Sequence, residues 1–267
     1  MKKYLNKKTI IAYILGILTV ICIGFVLYPS EENTSCSGNI GIVNINGTID
    51  INEDPEYYSV SSIEIIKQIE EFDSDPSIKG IILVISSGGG SMQPSEDIMI
   101  AVQKVSKPTV SVIQNAGASG AYLIASGTKK IFASRLSEIG GIGVVRNLSD
   151  TSEKDLKDGI KYYNFSSAPL KMASEGHSKI TFEQQKAIMD SVKKSHDIFV
   201  EYIAKNRNIP IEKVRGLATG RTYLGDIALE NNLIDQIGGL DEAKDWLSEQ
   251  IKEEVTYCYP IEKSEEI

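Results

Sequence analysis

Gln114-Asn115-Ala116-Gly117-Ala118-Ser119-Gly120-Ala121-Tyr122-Leu123-Ile124-Ala125-Ser126-Gly127 is the stretch whose reading decides the fold. Just before it, Thr109 to Ile113 is rich in β-branched residues and reads as a buried strand. Small residues that cannot fill a core follow, and then an apolar helical run. The result is a strand-to-helix elbow with Ser119 at its tip, flanked by Gly117-Ala118 and Gly120-Ala121, so little bulk separates its hydroxyl from an approaching ligand. The start of a helix also offers unpaired N–H groups and a positive dipole end, which suit a developing negative charge. Two roles for Ser119 fit the local residues: a nucleophile, and an ordinary N-cap, for which serine is a preferred residue.

Working outward, Asn39 to Ile49 reads as a strand, and Ser61 to Phe72 as a helix with an apolar stripe at Ile63, Ile66 and Ile69. Lys79 to Ile85 is a continuous apolar run, the mark of a strand buried on both faces, and Ser86-Ser87-Gly88-Gly89-Gly90-Ser91 follows it at once. Met92 to Val105 reads as a helix, Pro108 to Ile113 as a strand, Ser119 to Ser126 as a helix and Lys130 to Ala133 as a short strand. This alternation predicts an α/β fold with parallel strands and sites at strand ends. The glycine turn lacks the Gly-Lys-Ser/Thr of a P-loop and the spacing of a dinucleotide fingerprint, so no nucleotide cofactor is expected. Its better use is a close backbone approach, with N–H groups that hold an oxyanion or pair with an extended peptide.

Past Ile139-Gly140-Gly141-Ile142-Gly143-Val144, the polar stretch Leu148 to Lys161 reads as a surface excursion. In Ser166-Ser167-Ala168-Pro169-Leu170-Lys171-Met172 the lysine stands between two apolar residues, neighbours of a kind that favour a neutral amine able to act as a base. An ordinary surface lysine fits the same residues. Thr181 to Asn206 is a long amphipathic helix, Pro210 to Ala218 a shorter one, and Leu240 to Ile251 closes the fold ahead of a charged tail. No internal repeat is evident.

The 267 residues are 42% hydrophobic, enough for one sizeable core, which falls at 39–252 between an N-terminal appendage and a tail at 253–267. The appendage, 1–28, opens with Lys2, Lys3, Lys7 and Lys8 and then runs uncharged from Thr9 to Tyr28. As a helix that run rises about 30 Å, the thickness of a bilayer core. A cleaved signal peptide would have a shorter apolar region and a small-residue cleavage site, which Tyr28-Pro29-Ser30-Glu31 does not offer. Nor does a small residue precede Cys22 as lipoprotein cleavage requires. The reading is an uncleaved N-terminal transmembrane helix at 9–28 and a polar tether at 29–38. With the lysines ahead of the span, the remaining chain is expected on the outer face of the cytoplasmic membrane. Setting those four lysines aside leaves 24 basic against 36 acidic residues. That balance disfavours nucleic acid and anionic headgroups as partners of the outer domain. Cys22, Cys36 and Cys258 read as lone thiols, although Cys36 and Cys258 flank the folded part, and the two histidines, His177 and His196, show no zinc spacing.

Five segments, taken in order, resemble a known family: Ser86-Ser87-Gly88-Gly89-Gly90, Ala118-Ser119-Gly120-Ala121-Tyr122, Gly140-Gly141-Ile142-Gly143-Val144, Ser167-Ala168-Pro169-Leu170-Lys171 and Gly220-Arg221-Thr222-Tyr223-Leu224-Gly225. Together with Ala228, Leu233, Asp235 and Gly238-Gly239 they are similar to the signal peptide peptidases of the SppA type, membrane-anchored serine proteases of family S49, over about 39–247. The resemblance implies a crotonase/Clp-protease-like fold and a Ser-Lys dyad with Ser119 as nucleophile and Lys171 as general base. It places the oxyanion donors on the N–H of Gly89 or Gly90, together with that of Gly120. It also implies hydrophobic peptides, such as remnant signal peptides, as substrates. Longer members carry two such domains, so a single copy implies a homo-oligomeric ring in which Ser119 of one subunit meets Lys171 of the next. The chain departs from the family where Gly88 replaces a proline that would stiffen the turn, and where Ala121, Gly141 and Ala168 replace other small residues. Two further readings follow: a peptide-binding pseudoenzyme of the same fold, and an acyl-CoA enzyme of the related crotonase fold, in which a membrane anchor and a Ser-Lys pair have no part.

Overall fold

The computed structural model describes residues 37–260 apart from 55, 57 and 172–174. The anchor expected at 9–28 lies outside the described residues, as do Cys22, Cys36, Met172 and the end of the tail. Among the described residues no helix is long and apolar enough to cross a membrane.

Strands β1 (Ile40–Asn46), β2 (Thr48–Asp50) and β3 (Ser59–Ser61) lead into helix α1 (Ser62–Ser74). Then β4 (Gly80–Ser87), α2 (Met92–Lys104), β5 (Thr109–Ala118), α3 (Gly120–Ser126) and β6 (Lys130–Ala133) alternate as the apolar pattern predicts. The rest is β7 (Glu138–Gly140), α4 (Ser152–Lys157), α5 (Phe182–Arg207), α6 (Ile211–Leu217), β8 (Thr222–Leu224), α7 (Gly225–Glu230), β9 (Gln236–Ile237), α8 (Leu240–Ile251) and β10 (Tyr257–Cys258). The main sheet runs β10-β1-β4-β5-β6-β9 with every pairing parallel, and β2 and β3 form a small parallel sheet of their own. A sheet of this kind needs cover on both faces. Ile82 and Val84 of β4 join Ile40, Ile42, Val110, Val112 and Phe132 beneath Ala243 and Leu247 of α8. Their alternates Ile81, Leu83 and Ile85, fully buried, point to the opposite face, where α1, α2 and α3 pack together.

Three local readings change. The expected stripe of α1 was Ile63, Ile66 and Ile69, but the residues it buries are Ile65, Ile69 and Phe72, while Ile63 is 54% exposed. Isoleucines at 63, 65, 66 and 69 satisfy helical spacing in more than one phase, and Phe72, sitting where Gly41 leaves room for its ring, fixes which one is used. Strand β5 does not stop at Ile113 but continues to Ala118. Ile85 faces Ile113 and Ser87 faces Gly117, so Gln114, Asn115 and Ala116 oppose the single residue Ser86. That bulge bends β5 away from β6 and onto β7, with Ala116–Ala118 paired to Glu138–Gly140. Finally, the residues after α8 are only partly a tail. Val255 lies in the core and β10 adds an edge strand to β1, with Asn39 bonded to Thr256 and Glu254. Cys258 at the end of that strand is disulfide-bonded, which corrects its reading as a lone thiol.

Candidate active site

Ser119 stands where β5 hands over to α3. Its N–H donates to the Gly140 carbonyl at 2.7 Å, and its own carbonyl accepts from the Leu123 N–H at 3.0 Å, so the end of β7 and the first turn of α3 hold it from two sides. Its backbone sits at φ 54° and ψ −126°, and its side chain makes no capping hydrogen bond. An N-cap serine adopts extended backbone and accepts from the second or third helical N–H, so the capping role is not the one realised. A left-handed φ at a non-glycine residue costs roughly 1–3 kcal/mol and marks a place where the surrounding structure imposes a geometry. Here the half-buried hydroxyl caps no helical N–H and has no hydrogen-bond partner among the described residues.

The glycine turn lies directly against this elbow. A β-carbon on Gly89, whose φ is +103°, would come 2.7 Å from Ser119 Cβ and 2.8 Å from the Gly120 nitrogen, so only glycine lets the two backbones approach. The turn is held from behind by β2: the Ile49 N–H donates to the Gly89 carbonyl at 3.1 Å, and the Ser91 N–H donates to the Ile49 carbonyl at 2.8 Å. In that parallel bridge the N–H of Gly90 points away from β2. Gly89 is different, because its N–H donates to Ser87 Oγ at 3.0 Å. Gly120 opens α3 on the far side of Ser119; a β-carbon there would meet Ser95 Oγ at 2.2 Å and the Gly90 nitrogen at 3.5 Å. Ser119, Gly89, Gly90 and Gly120 thus lie side by side, and the N–H of Gly90, unlike that of Gly89, makes no hydrogen bond among the described residues.

The remaining glycine motifs are accounted for by the same junction. The Gly141 N–H donates to the Arg221 carbonyl at 3.0 Å and the Gly220 N–H to the Ile142 carbonyl at 3.0 Å, so the segment 220–225 is laid antiparallel on β7, whose last carbonyl pins Ser119. Behind the elbow, the fully buried Tyr122 donates its hydroxyl to the Leu233 carbonyl at 2.8 Å, and burial pushes that phenol well above its ordinary value. Asn206 donates to Ser126 Oγ at 3.0 Å, and Arg207 pairs with Asp235, whose carboxylate also accepts the Ile131 N–H at 2.7 Å. These contacts fix α3 to α5, and α5 through Asp235 to the start of β6. Sequence reasoning did not single out Ser87, Ser95 or Asn206 for these roles; isolated polar residues beside apolar runs were the signal available for them.

Lys171 is not at this junction. Its N–H closes a turn onto the Ala168 carbonyl at 3.1 Å, and both Lys171 and Leu170 are exposed. Among the described residues neither a hydrogen bond nor an ion pair reaches its ammonium, so it is not joined to Ser119 within one chain. The desolvation expected from Leu170 and Met172 is not supplied on the Leu170 side, and Met172 lies outside the described residues. The segment that carries Lys171 is an arm. It leaves the core after Ile142 and returns along α5, which buries only Phe199, Val200 and Ile203, all in its last third. A neck closes the arm: the Thr151 N–H donates to the Gly176 carbonyl at 2.8 Å, His177 Nδ1 is 3.2 Å from Asp155 Oδ2, and the Tyr162 ring stacks on His177 at 4.1 Å. The hydrogen bond from Thr151, and then that of His177, hold the Asp155 carboxyl below its usual range. Phe165 is 94% exposed and Phe182 82%, large apolar surfaces that this chain leaves uncovered.

Known proteins are similar to this chain in sequence over most of its length. The model of Peptidase family S49 matches residues 101–254. An Enterococcus faecium protein named "Putative signal peptide peptidase SppA" is 31% identical over 88% of this chain and 72% of its own length. "Putative protease MJ0651" of Methanocaldococcus jannaschii is 27% identical over 72% of this chain and 60% of its own length. "Protease 4" of Haemophilus influenzae is 29% identical over 79% of this chain but only 35% of its own length. The strained serine elbow falls inside the matched residues, and the chain belongs to peptidase family S49, the serine-type peptidases to which its motifs had pointed.

Proposed function

We propose that the protein is a membrane-anchored serine endopeptidase that cleaves hydrophobic peptides, remnant signal peptides among them, on the outer face of the cytoplasmic membrane. The observation that carries this reading is the backbone of Ser119, held at positive φ with its hydroxyl uncapped and packed directly against the glycine turn at Gly89. The name of the Enterococcus faecium relative supports the substrate class. The uncharged run at 9–28 supports the anchor.

In the chemistry that fits, the neutral amine of Lys171 takes the proton of Ser119 Oγ as that oxygen attacks the scissile carbonyl carbon. The carbonyl electron pair moves onto oxygen, where the N–H groups of Gly90 and Gly120 stabilise it; one such donor is typically worth about 100- to 1000-fold in kcat. As the carbonyl re-forms, the C–N bond breaks, and the Lys171 ammonium returns the proton to the leaving amine. Water then repeats the sequence on the acyl-enzyme and frees Ser119. Lys171 is exposed and has no hydrogen-bond or ion-pair partner among the described residues, which supports pairing it with the serine of a neighbouring subunit in a homo-oligomeric ring, and the exposed Phe165 and Phe182 of the arm suit such a contact.

A fluorophosphonate probe on the detergent-solubilised full chain tests the reading. Labelling at Ser119, with peptide hydrolysis lost in Ser119→Ala and in Lys171→Arg, is the expected result, arginine failing because its guanidinium does not deprotonate. Full hydrolysis by Ser119→Ala would remove the nucleophile from the mechanism. The peptide-binding alternative predicts no label and no turnover in the wild type.

A further inference from the structure

Ser87 is the last residue of β4 and is 2% exposed, a buried hydroxyl for which the mechanism above has no use. It makes two hydrogen bonds in opposite directions. Its Oγ donates to the Gly47 carbonyl at 2.6 Å, at the corner where β1 turns into β2, and accepts the Gly89 N–H at 3.0 Å, inside the glycine turn. The corner is tied to the same strand a second time, because the Gly47 N–H donates to the Ser86 carbonyl at 3.2 Å. The far side of the turn is tied back to β2 through Ile49. One hydroxyl therefore closes a small ring of contacts around the turn. Within that ring Gly89 and Gly90 are set apart: the first N–H is consumed internally and the second is left facing Gly120.

An oxyanion donor is useful only if it is aimed before the negative charge develops, since aligning a dipole during the reaction costs part of what it contributes. A run of three glycines is the least able of all sequences to hold such an aim alone, because each of them samples positive and negative φ with little penalty. With proline absent at position 88, the stiffness must come from contacts, and Ser87 supplies the contact inside the turn. We propose that Ser87 is a positioning residue for the oxyanion site: by occupying the N–H of Gly89 it fixes the turn so that Gly90 donates to the tetrahedral intermediate. This rests on Ser119 being the nucleophile, as proposed above.

The test uses the full chain in detergent, with kcat, KM and thermal midpoint measured for the wild type, Ser87→Ala and Ser87→Thr, and with affinity for a peptide boronic acid as the second readout. The boronate forms a tetrahedral adduct on serine and needs the oxyanion donors, whereas the ground-state substrate does not. Ser87→Ala is expected to lose roughly tenfold to a hundredfold in kcat, less than deleting a donor outright. Its boronate affinity should fall by a similar factor while KM stays within about twofold. Threonine keeps the hydroxyl and should restore most of both. Rates are normalised to sites labelled by fluorophosphonate, so a variant that folds poorly does not pass for a slow one. In the wild type, hydrogen exchange resolved to single residues should find the Gly89 amide protected without ligand and the Gly90 amide protected only with boronate bound. Unchanged kcat and boronate affinity per labelled site in Ser87→Ala, or new boronate protection at Gly89 instead of Gly90, overturns the proposal. Retained hydrolysis by Ser119→Ala would remove the underlying mechanism instead, and this proposal with it.

Discussion

At the scale of one residue, the left-handed backbone of Ser119 separates stability from activity. Glycine adopts that φ without the steric penalty but loses more conformational freedom on folding, so relief of about 1–3 kcal/mol is offset by about 0.5–1 kcal/mol. Ser119→Gly is therefore expected to be inactive and more stable than the wild type by roughly 0.5–2 kcal/mol, read as a higher thermal midpoint, whereas Ser119→Ala, inactive too, keeps the strained backbone and gains nothing comparable. A lower midpoint for the glycine variant than for the alanine variant would mean that the elbow is not strained. The residue types around this serine were legible in the sequence, since only small side chains fit between β5, α3 and the glycine turn. Its dihedral angles were not. A cap and a nucleophile share the motif of small residues, serine and a helix start, and what keeps this serine from capping is its tie to Gly140 at the end of β7, 21 residues downstream.

At the scale of an element, the glycine turn does without an available stiffener at position 88. Gly88 has no positive φ, a β-carbon on it would meet nothing within 4 Å, and no hydrogen bond from its N–H occurs among the described residues. Ser87 before it is in a strand, the conformation that a following proline prefers. Gly88→Pro should thus stabilise the protein by roughly 0.4–1 kcal/mol through the unfolded chain, with kcat equal to or above that of the wild type. A fall in the thermal midpoint would show that the turn uses a backbone geometry closed to proline. The neck of the arm responds to pH instead. The Asp155 carboxyl, held below its usual range by Thr151 and then by His177, contributes to the neck at any pH above the ordinary carboxylate value. That contribution is lost as the pH falls through its lowered folded-state value. Proteolytic nicking between 152 and 175 should rise on acidification in the wild type and be high at every pH in Asp155→Asn; a pH-independent nicking rate in the wild type would remove Asp155 from the neck. Elements with one clear period, β4, α2 and α8 among them, were legible to within a residue or two. The phase of α1, the bulge in β5 and the edge strand β10 were not, because each is set by a partner remote in sequence: Gly41 for Phe72, Ser86 for the bulge, Asn39 and β1 for the residues beyond α8.

For the whole molecule, the proposed orientation predicts that the folded domain is open to external protease. In wall-stripped cells the exposed arm is the first site expected to be cut, whereas digestion only after lysis would reverse the orientation argued from Lys2, Lys3, Lys7 and Lys8. The arm also carries the assembly argument. A subunit with a packed serine elbow in its core and its lysine on an exposed arm offers two different surfaces, and the proposed ring requires that repeated head-to-tail contact between them close on itself. If each working site takes Ser119 from one subunit and Lys171 from the next, Ser119→Ala and Lys171→Ala, each inert alone, should complement when unfolded together and reassembled. Random mixing in equal amounts puts an intact serine opposite an intact lysine at roughly a quarter of the junctions, so about a quarter of wild-type hydrolysis should return. Were the dyad built within one chain, every site would keep one defect. Mixed rings shown by differential tags to contain both variants, and still inert, would therefore place Lys171 outside any site shared between subunits.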